Sequence, residues 1–193
     1  MPTTPSPFTR KPPAAPTVAQ LIRFGAREFD AAALTYGHGT LDARDDAAAL
    51  VFHALGLDHA DAGTAYTVKP GKPQVEQVLG LFAERLRRRV PVAYLMGRMW
   101  FAGLEFEVDP RVIVPRSPFA ELIAARFAPW VDPARVLRVV DLGTGSGCIA
   151  IACALQFPQA RVDAVDLSPA ALEVAARNVQ RHGAAARVQL HLG

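Results

Sequence analysis

One stretch constrains the fold more than any other. Residues 136–141 read as an apolar strand ending at Asp141, and the chain then runs into Leu142-Gly143-Thr144-Gly145-Ser146-Gly147. A helix-type segment over 146–156 follows and is closed off by Pro158. Arg161 to Asp166 reads as a second strand. Ser168-Pro169 then joins a capping hydroxyl to a proline suited to a first helical turn, and that helix runs to His182 before Gly183. Arg187 to Leu192 is a third strand. Strands that alternate with helices imply a parallel sheet, because parallel neighbours need a crossover. The predicted fold class is therefore α/β.

A glycine loop between a strand and a helix lets the chain turn sharply and lets a ligand approach the backbone. In open parallel sheets such ligands lie beyond the carboxyl ends of the strands. The glycine register then narrows the ligand. A dinucleotide loop reads G-x-G-x-x-G, which from Gly143 requires glycine where Cys148 stands. A P-loop ends in Gly-Lys-Ser/Thr, and no lysine is present here. Asp141 and Asp166 end successive strands, as two ligand-facing carboxylates would. The alternative is that Asp141 caps the loop and Asp166 is a polar strand end.

The first half of the chain has a different period. Thr17 is placed to cap a helix with Val18, Leu21, Ile22, Phe29 and Ala33 on one stripe. Asp42 starts another, carrying Ala47, Leu50, Val51, Ala54 and Leu55, with Gly56 as its stop. A third begins near Pro73 and shows Val75, Val78, Leu79, Phe82 and Leu86. Three amphipathic helices bury their stripes against one another, so residues 17–90 form a helical domain. Six prolines within residues 1–16 predict a disordered arm before it. Phe101, Leu104, Phe106 and Val108 around Ala102-Gly103 predict a β-hairpin connector over 91–117. A helix from about 118 to 128 then opens the partial sheet domain, 118–193.

Composition bears on partners and compartment. The chain has 193 residues, 51% of them hydrophobic and 20% charged, with a formal net charge of +3. That supports a buried core and permits an acidic partner without requiring one. The run Arg85-Leu86-Arg87-Arg88-Arg89 reads either as a phosphate-contacting patch for ribosomal RNA or as cations favoured at a helix C-terminus. Cys148 and Cys153 lie five apart on one helix, poor geometry for a disulfide or a metal clip, and read as small buried side chains of a cytoplasmic protein. No metal site and no membrane span are expected. His38, between two glycines, reads as a turn or contact residue.

The glycine loop resembles motif I of the class I S-adenosylmethionine-dependent methyltransferases. Residues 90–182 resemble the HemK family of protein-glutamine methyltransferases, through Pro91-Val92-Ala93-Tyr94-Leu95, Phe101-Ala102-Gly103-Leu104-Glu105-Phe106, Val112-Ile113-Val114-Pro115-Arg116 and Gly143 to Ile151. Ser117-Pro118 after the Pro-Arg pair, Tyr36 to Thr40, and Phe127-Ala128-Pro129-Trp130 resemble the ribosomal-protein branch rather than the release-factor branch. The resemblance implies S-adenosylmethionine as cofactor, held by Asp141, Gly143, Thr144, Gly145, Ser146, Gly147 and Asp166. Asp141 would meet the cationic amino end and Asp166 the ribose hydroxyls. It implies a glutamine of large-subunit ribosomal protein uL3 as substrate, with Ile113, Pro115 and Arg116 near the glutamine pocket. Arg116 has a structural reading as well.

The family's catalytic Asn-Pro-Pro-Tyr motif does not occur in these residues, so no catalytic residue is assigned. The expectation is the cofactor half of a longer enzyme, inactive alone, with its Rossmann-like sheet cut after three strands and an apolar edge exposed. A nucleic-acid adenine methyltransferase and a non-catalytic module that binds a ribosomal partner are the competing classes.

Overall fold

The computed structural model describes residues 7–58 and 62–193 and divides into two compact units, one ending at Met96 and one from Gly97 to Gly193.

The first unit is helical. Helices α1 (Val18–Ala31), α2 (Ala43–Leu55), α3 (Ala62–Ala65), α4 (Lys72–Arg88) and α5 (Val92–Met96) follow in order. Thr17 and Gln20 form a reciprocal capping box at the start of α1. One Asp42 carboxylate oxygen accepts from the amides of Arg44 and Asp45 at 2.8 and 2.9 Å. Gly56 ends α2 in the left-handed conformation. Val18, Leu21, Ile22, Phe29, Leu50, Val51, Val78 and Phe82 are buried together, with Phe29 edge-on to Phe82 at 5.3 Å. At Gly25, α1 packs directly against Phe82 of α4 and Ala47 of α2. A Cβ there would lie 2.6 Å from the Phe82 ring and 3.0 Å from Ala47, so only glycine fits.

Two expectations change here. Ala33 leaves the stripe: it follows the helix with φ 48° and is exposed. The arm expected to be disordered is held in part. Phe8 packs edge-on to Phe24 at 5.3 Å. The Thr9 amide donates to Glu28, Arg10 pairs with Glu28 at 3.1 Å, and Pro16 is buried. The buried Glu28 carboxylate needs partners, and the arm supplies them. Residues 1–6 of the predicted arm lie outside the described residues.

The arginine run divides between the interior and the surface: Arg85 is buried, while Arg87, Arg88 and Arg89 are exposed. Arg85 is buried, pairs with Asp46 at 2.8 Å and donates to the Thr35 carbonyl at 2.9 Å. Burial pushes the Asp46 carboxyl above its usual range despite its bonds to Thr40 and Arg85. Arg89 turns with φ 54° and donates to the carbonyls of Ala32 and Ala33 at 3.1 and 2.8 Å. Arg87 and Arg88 both reach Glu84 along the helix. Arg85 therefore offers nothing to a phosphate, and Arg89 is engaged with the chain.

The second unit begins with an antiparallel hairpin, β1 (Arg98–Phe101) and β2 (Leu104–Glu107), closed by Ala102 and Gly103 at positive φ. It continues through α6 (Phe119–Ala124), a single 3-10 turn (Pro133–Arg135), β3 (Arg138–Leu142), α7 (Cys148–Gln156), β4 (Arg161–Asp166), α8 (Pro169–Arg181) and β5 (Val188–Leu192). The sheet is parallel in the order β3-β4-β5. Ile151, Cys153, Phe157, Val162, Ala164, Val179 and Val188 form its core together with Phe101 and Phe106 of the hairpin. The hairpin thus belongs to the sheet unit, whereas Val92, Leu95 and Met96 pack with the helical core. The chain divides at one point, between residues 96 and 97, where a separate connector over 91–117 was expected. Helix α6 stops at Ala124, short of 128, because Arg126 and Phe127 take positive φ; Phe127 then stacks on Phe157. Arg138 and His191 reach Asp163 from the strands on either side, at 2.8 and 2.9 Å. The arginine holds that carboxyl below its usual range. Among the described residues, no helix is long and apolar enough to cross a membrane.

Candidate cofactor-binding site

The site is built at the carboxyl ends of β3 and β4, within the sheet unit. Asp141 is buried near the end of β3, and one of its oxygens accepts from the Thr144 hydroxyl at 2.6 Å and from the Ala150 amide at 3.2 Å. It ties strand, loop and helix together, as its capping reading foresaw. Its other oxygen accepts no hydrogen bond among the described residues. Asp166, half-buried at the end of β4, accepts from the Gly145 amide through one oxygen and from the Ser168 amide through the other, both at 2.9 Å. Each carboxylate oxygen has two lone pairs. Asp166 can therefore hold the loop and still accept two further hydroxyls.

The loop spends its amides on the protein. Gly143 and Thr144 both donate to the Val165 carbonyl, at 2.8 and 2.9 Å, and Gly147 donates to Thr144 at 2.9 Å. With Gly145 on Asp166, four of the five amides from Gly143 to Gly147 point into the fold. A phosphate cradle needs such N–H groups aimed at the ligand. With four of its amides so engaged, this loop lacks that cradle.

The three glycines serve two purposes. Gly143 and Gly145 take positive φ; a Cβ at Gly143 would meet open space, and one at Gly145 only the Gly143 carbonyl oxygen at 4.0 Å, so the backbone can be approached closely. Gly147 is buried, and a Cβ there would meet Ala175 at 3.3 Å and Ile151 at 3.4 Å, so it allows α7 and α8 to close. Thr144 and Ser146 are buried between them.

Sequence reasoning missed Asn178. It is fully buried on α8, donates to the carbonyls of Ser146 and Glu107 at 2.9 and 3.0 Å, and accepts from the Glu107 amide at 2.8 Å. One side chain thus fastens the glycine loop to the hairpin. The signal was a polar residue on the apolar stripe of Ala171, Val174, Ala175 and Val179.

Asp141, Gly143, Thr144, Gly145, Ser146, Gly147 and Asp166 are brought together in one hydrogen-bonded group. Ile113, Pro115 and Arg116 form a separate strip: Ile113 is 80% exposed and Arg116 is exposed, while Pro115 is buried beside Val114. Cys148 and Cys153 are buried, and burial pushes both thiols up to about 11, which keeps them protonated and unreactive near neutral pH. Among the described residues no group of His, Cys, Asp and Glu is arranged to hold a metal.

Residues 125–191 match the methyltransferase small domain family. The chain is 50% identical over 166 residues to a ribosomal protein uL3 glutamine methyltransferase of Xanthomonas campestris pv. campestris, covering 86% of this chain and 54% of that protein. It is 48% identical over 180 residues to the protein of the same name from Bordetella pertussis, covering 92% and 60%. A solved S-adenosylmethionine-dependent methyltransferase from Thiobacillus denitrificans, in complex with S-adenosyl-L-homocysteine, is 30% identical over 44% of this chain and 32% of that one, with a TM-score of 0.33. The chain spans little more than half the length of the curated relatives it matches. Over most of its own length, then, this chain is similar to the uL3 glutamine methyltransferases, and its sheet unit matches the methyltransferase small domain.

Proposed function

We propose that this chain is the cofactor-binding part of a cytoplasmic S-adenosylmethionine-dependent methyltransferase that modifies a glutamine side-chain amide of ribosomal protein uL3. The observation that carries the reading is the inward-turned glycine loop flanked by Asp141 and Asp166. Such a loop suits a nucleoside ligand without phosphate. S-adenosylmethionine, when bound, supplies an electrophilic methyl group. Asp166 would accept the ribose hydroxyls, and Asp141 would face the cationic amino end. Gly143, Thr144, Gly145, Ser146 and Gly147 would form the floor on which the cofactor lies.

A glutamine amide is a weak nucleophile, because its nitrogen lone pair is delocalised into the carbonyl. Orientation and exclusion of water are the levers available. Ile113, Pro115 and Arg116 are proposed to border the glutamine. Holding the amide itself is assigned to an Asn-Pro-Pro-Tyr motif, which these residues do not contain.

Titration calorimetry tests the cofactor assignment. The chain is expected to bind S-adenosylmethionine and S-adenosylhomocysteine, to ignore NADH, and to lose at least tenfold in affinity on Asp166→Ala, about the worth of one or two hydrogen bonds. Folded protein that gives no heat with either cofactor would sink the assignment. Residues 1–193 alone are expected to transfer no labelled methyl to uL3, and efficient transfer would refute the assignment of chemistry to the absent motif.

A further inference from the structure

We propose that the helical unit carries a second binding site, for single-stranded RNA, in the cleft bordered by Arg23, Arg27, Arg44, Asp30, Ile22 and Tyr66. The cleft has a volume of about 440 Å³. It is separate from the glycine loop and does not depend on the cofactor reading.

The argument starts from charge. Among the described residues, the guanidinium groups of Arg23, Arg27 and Arg44 make no ion pair or hydrogen bond, unlike Arg85 and Arg89 of the same unit. All three are exposed. Arg23 and Arg27 stand one turn apart on α1, about 6 Å along the axis. Arg44 faces the cleft from the start of α2. Asp42 and Asp45, its acidic neighbours, accept backbone amides at the helix start and do not border the cleft. Three free cations therefore border the cleft against the single carboxylate of Asp30.

Shape and the remaining chemistry favour a nucleotide over an acidic peptide. The volume lies in the range of small-molecule sites, far larger than a carboxylate requires. Tyr66, half-buried and edge-on to Phe52 at 6.1 Å, gives the cleft an anchored aromatic residue. Aromatic residues hold unstacked bases, while arginines hold the phosphates. Asp30 adds an acceptor for a base amino group or a ribose hydroxyl, a group that a run of acidic side chains would avoid.

The test is fluorescence anisotropy with a labelled single-stranded RNA of about ten nucleotides, from about 50 to 200 mM salt. The chain is expected to bind. R23A/R27A/R44A should weaken binding at least about tenfold and lower the salt-dependence slope by about two, at some 0.7 per phosphate contact. Alanine is the best helix former, so unchanged far-UV circular dichroism is expected in that variant. Tyr66→Leu should weaken binding about tenfold with little change in slope. R87A/R88A should leave binding intact. The proposal is overturned by absence of binding at low salt, by equal loss in R87A/R88A, or by a polyglutamate peptide that displaces the RNA at lower concentration than RNA itself.

Discussion

The two units solve the burial problem differently. The helical unit closes on itself: its helices are capped, its buried Arg85 and Asp46 satisfy one another, and Gly25 lets α1 meet the ring of Phe82. The sheet unit is closed beneath the sheet and open at one side. Among the described residues strand β3 pairs only with β4; Leu137 just before it and Val140 and Leu142 along it are 62%, 58% and 76% exposed. Yet the open unit holds the glycine loop, with its backbone ordered by buried polar groups. Order at the loop does not depend on that closure: Asp141, Asp166 and Asn178 fix it through hydrogen bonds within the sheet unit, Asn178 reaching the hairpin as well.

The largest expected effect tests whether the helical unit is sealed on its own. Arg85→Ala leaves Asp46 buried without its partner, a loss of about 3–5 kcal/mol. Both tryptophans, Trp100 and Trp130, lie in the sheet unit. Urea unfolding followed by circular dichroism should therefore shift in this variant while the tryptophan transition stays. Equal shifts in both signals would break the comparison.

A smaller effect separates the two uses of glycine in the loop. Gly147→Ala adds a Cβ 3.3 Å from Ala175 at a φ of 78°, and should cost the sheet unit roughly 1–3 kcal/mol by tryptophan-detected unfolding. Gly143→Ala has positive φ but open space, so it should cost less stability while weakening S-adenosylmethionine binding more than tenfold. The same ranking for stability and affinity would refute the division of roles.

The smallest stability effect belongs to the open edge. Leu137→Lys with Val140→Lys should change unfolding by no more than about 0.5 kcal/mol, since both side chains are already in water. It should nevertheless lower concentration-dependent association in sedimentation velocity, because lysine on an edge strand opposes edge-to-edge pairing. Unaltered association would show that β3 is not the sticky surface.

Much of this was legible in the residues. Thr17, Asp42 and Ser168 announce helix starts because their side chains satisfy backbone amides a few residues away. The hairpin turn at Ala102-Gly103 and the order of strands and helices around Gly143–Gly147 follow from equally local rules. Less legible were Ala33, the end of α6 and the arm, where departures depend on distant partners: Phe157 receives Phe127, and Glu28 receives Thr9 and Arg10. The arginine run stayed open to two readings for the same reason. Its composition suits phosphate, but Arg85 meets Asp46 across 39 positions of sequence.

The chain's order alone therefore specified strand, loop and helix, because these are short-range consequences of period, capping and glycine. Tertiary structure decided which charges are free. Arg85 is buried and paired while Arg23, Arg27 and Arg44 border a cleft, and Asn178 is a clamp rather than a surface amide. The reason is physical: a polar group's role depends on whether folding brings it a partner or leaves it in water, and that is settled by contacts between residues far apart in the chain.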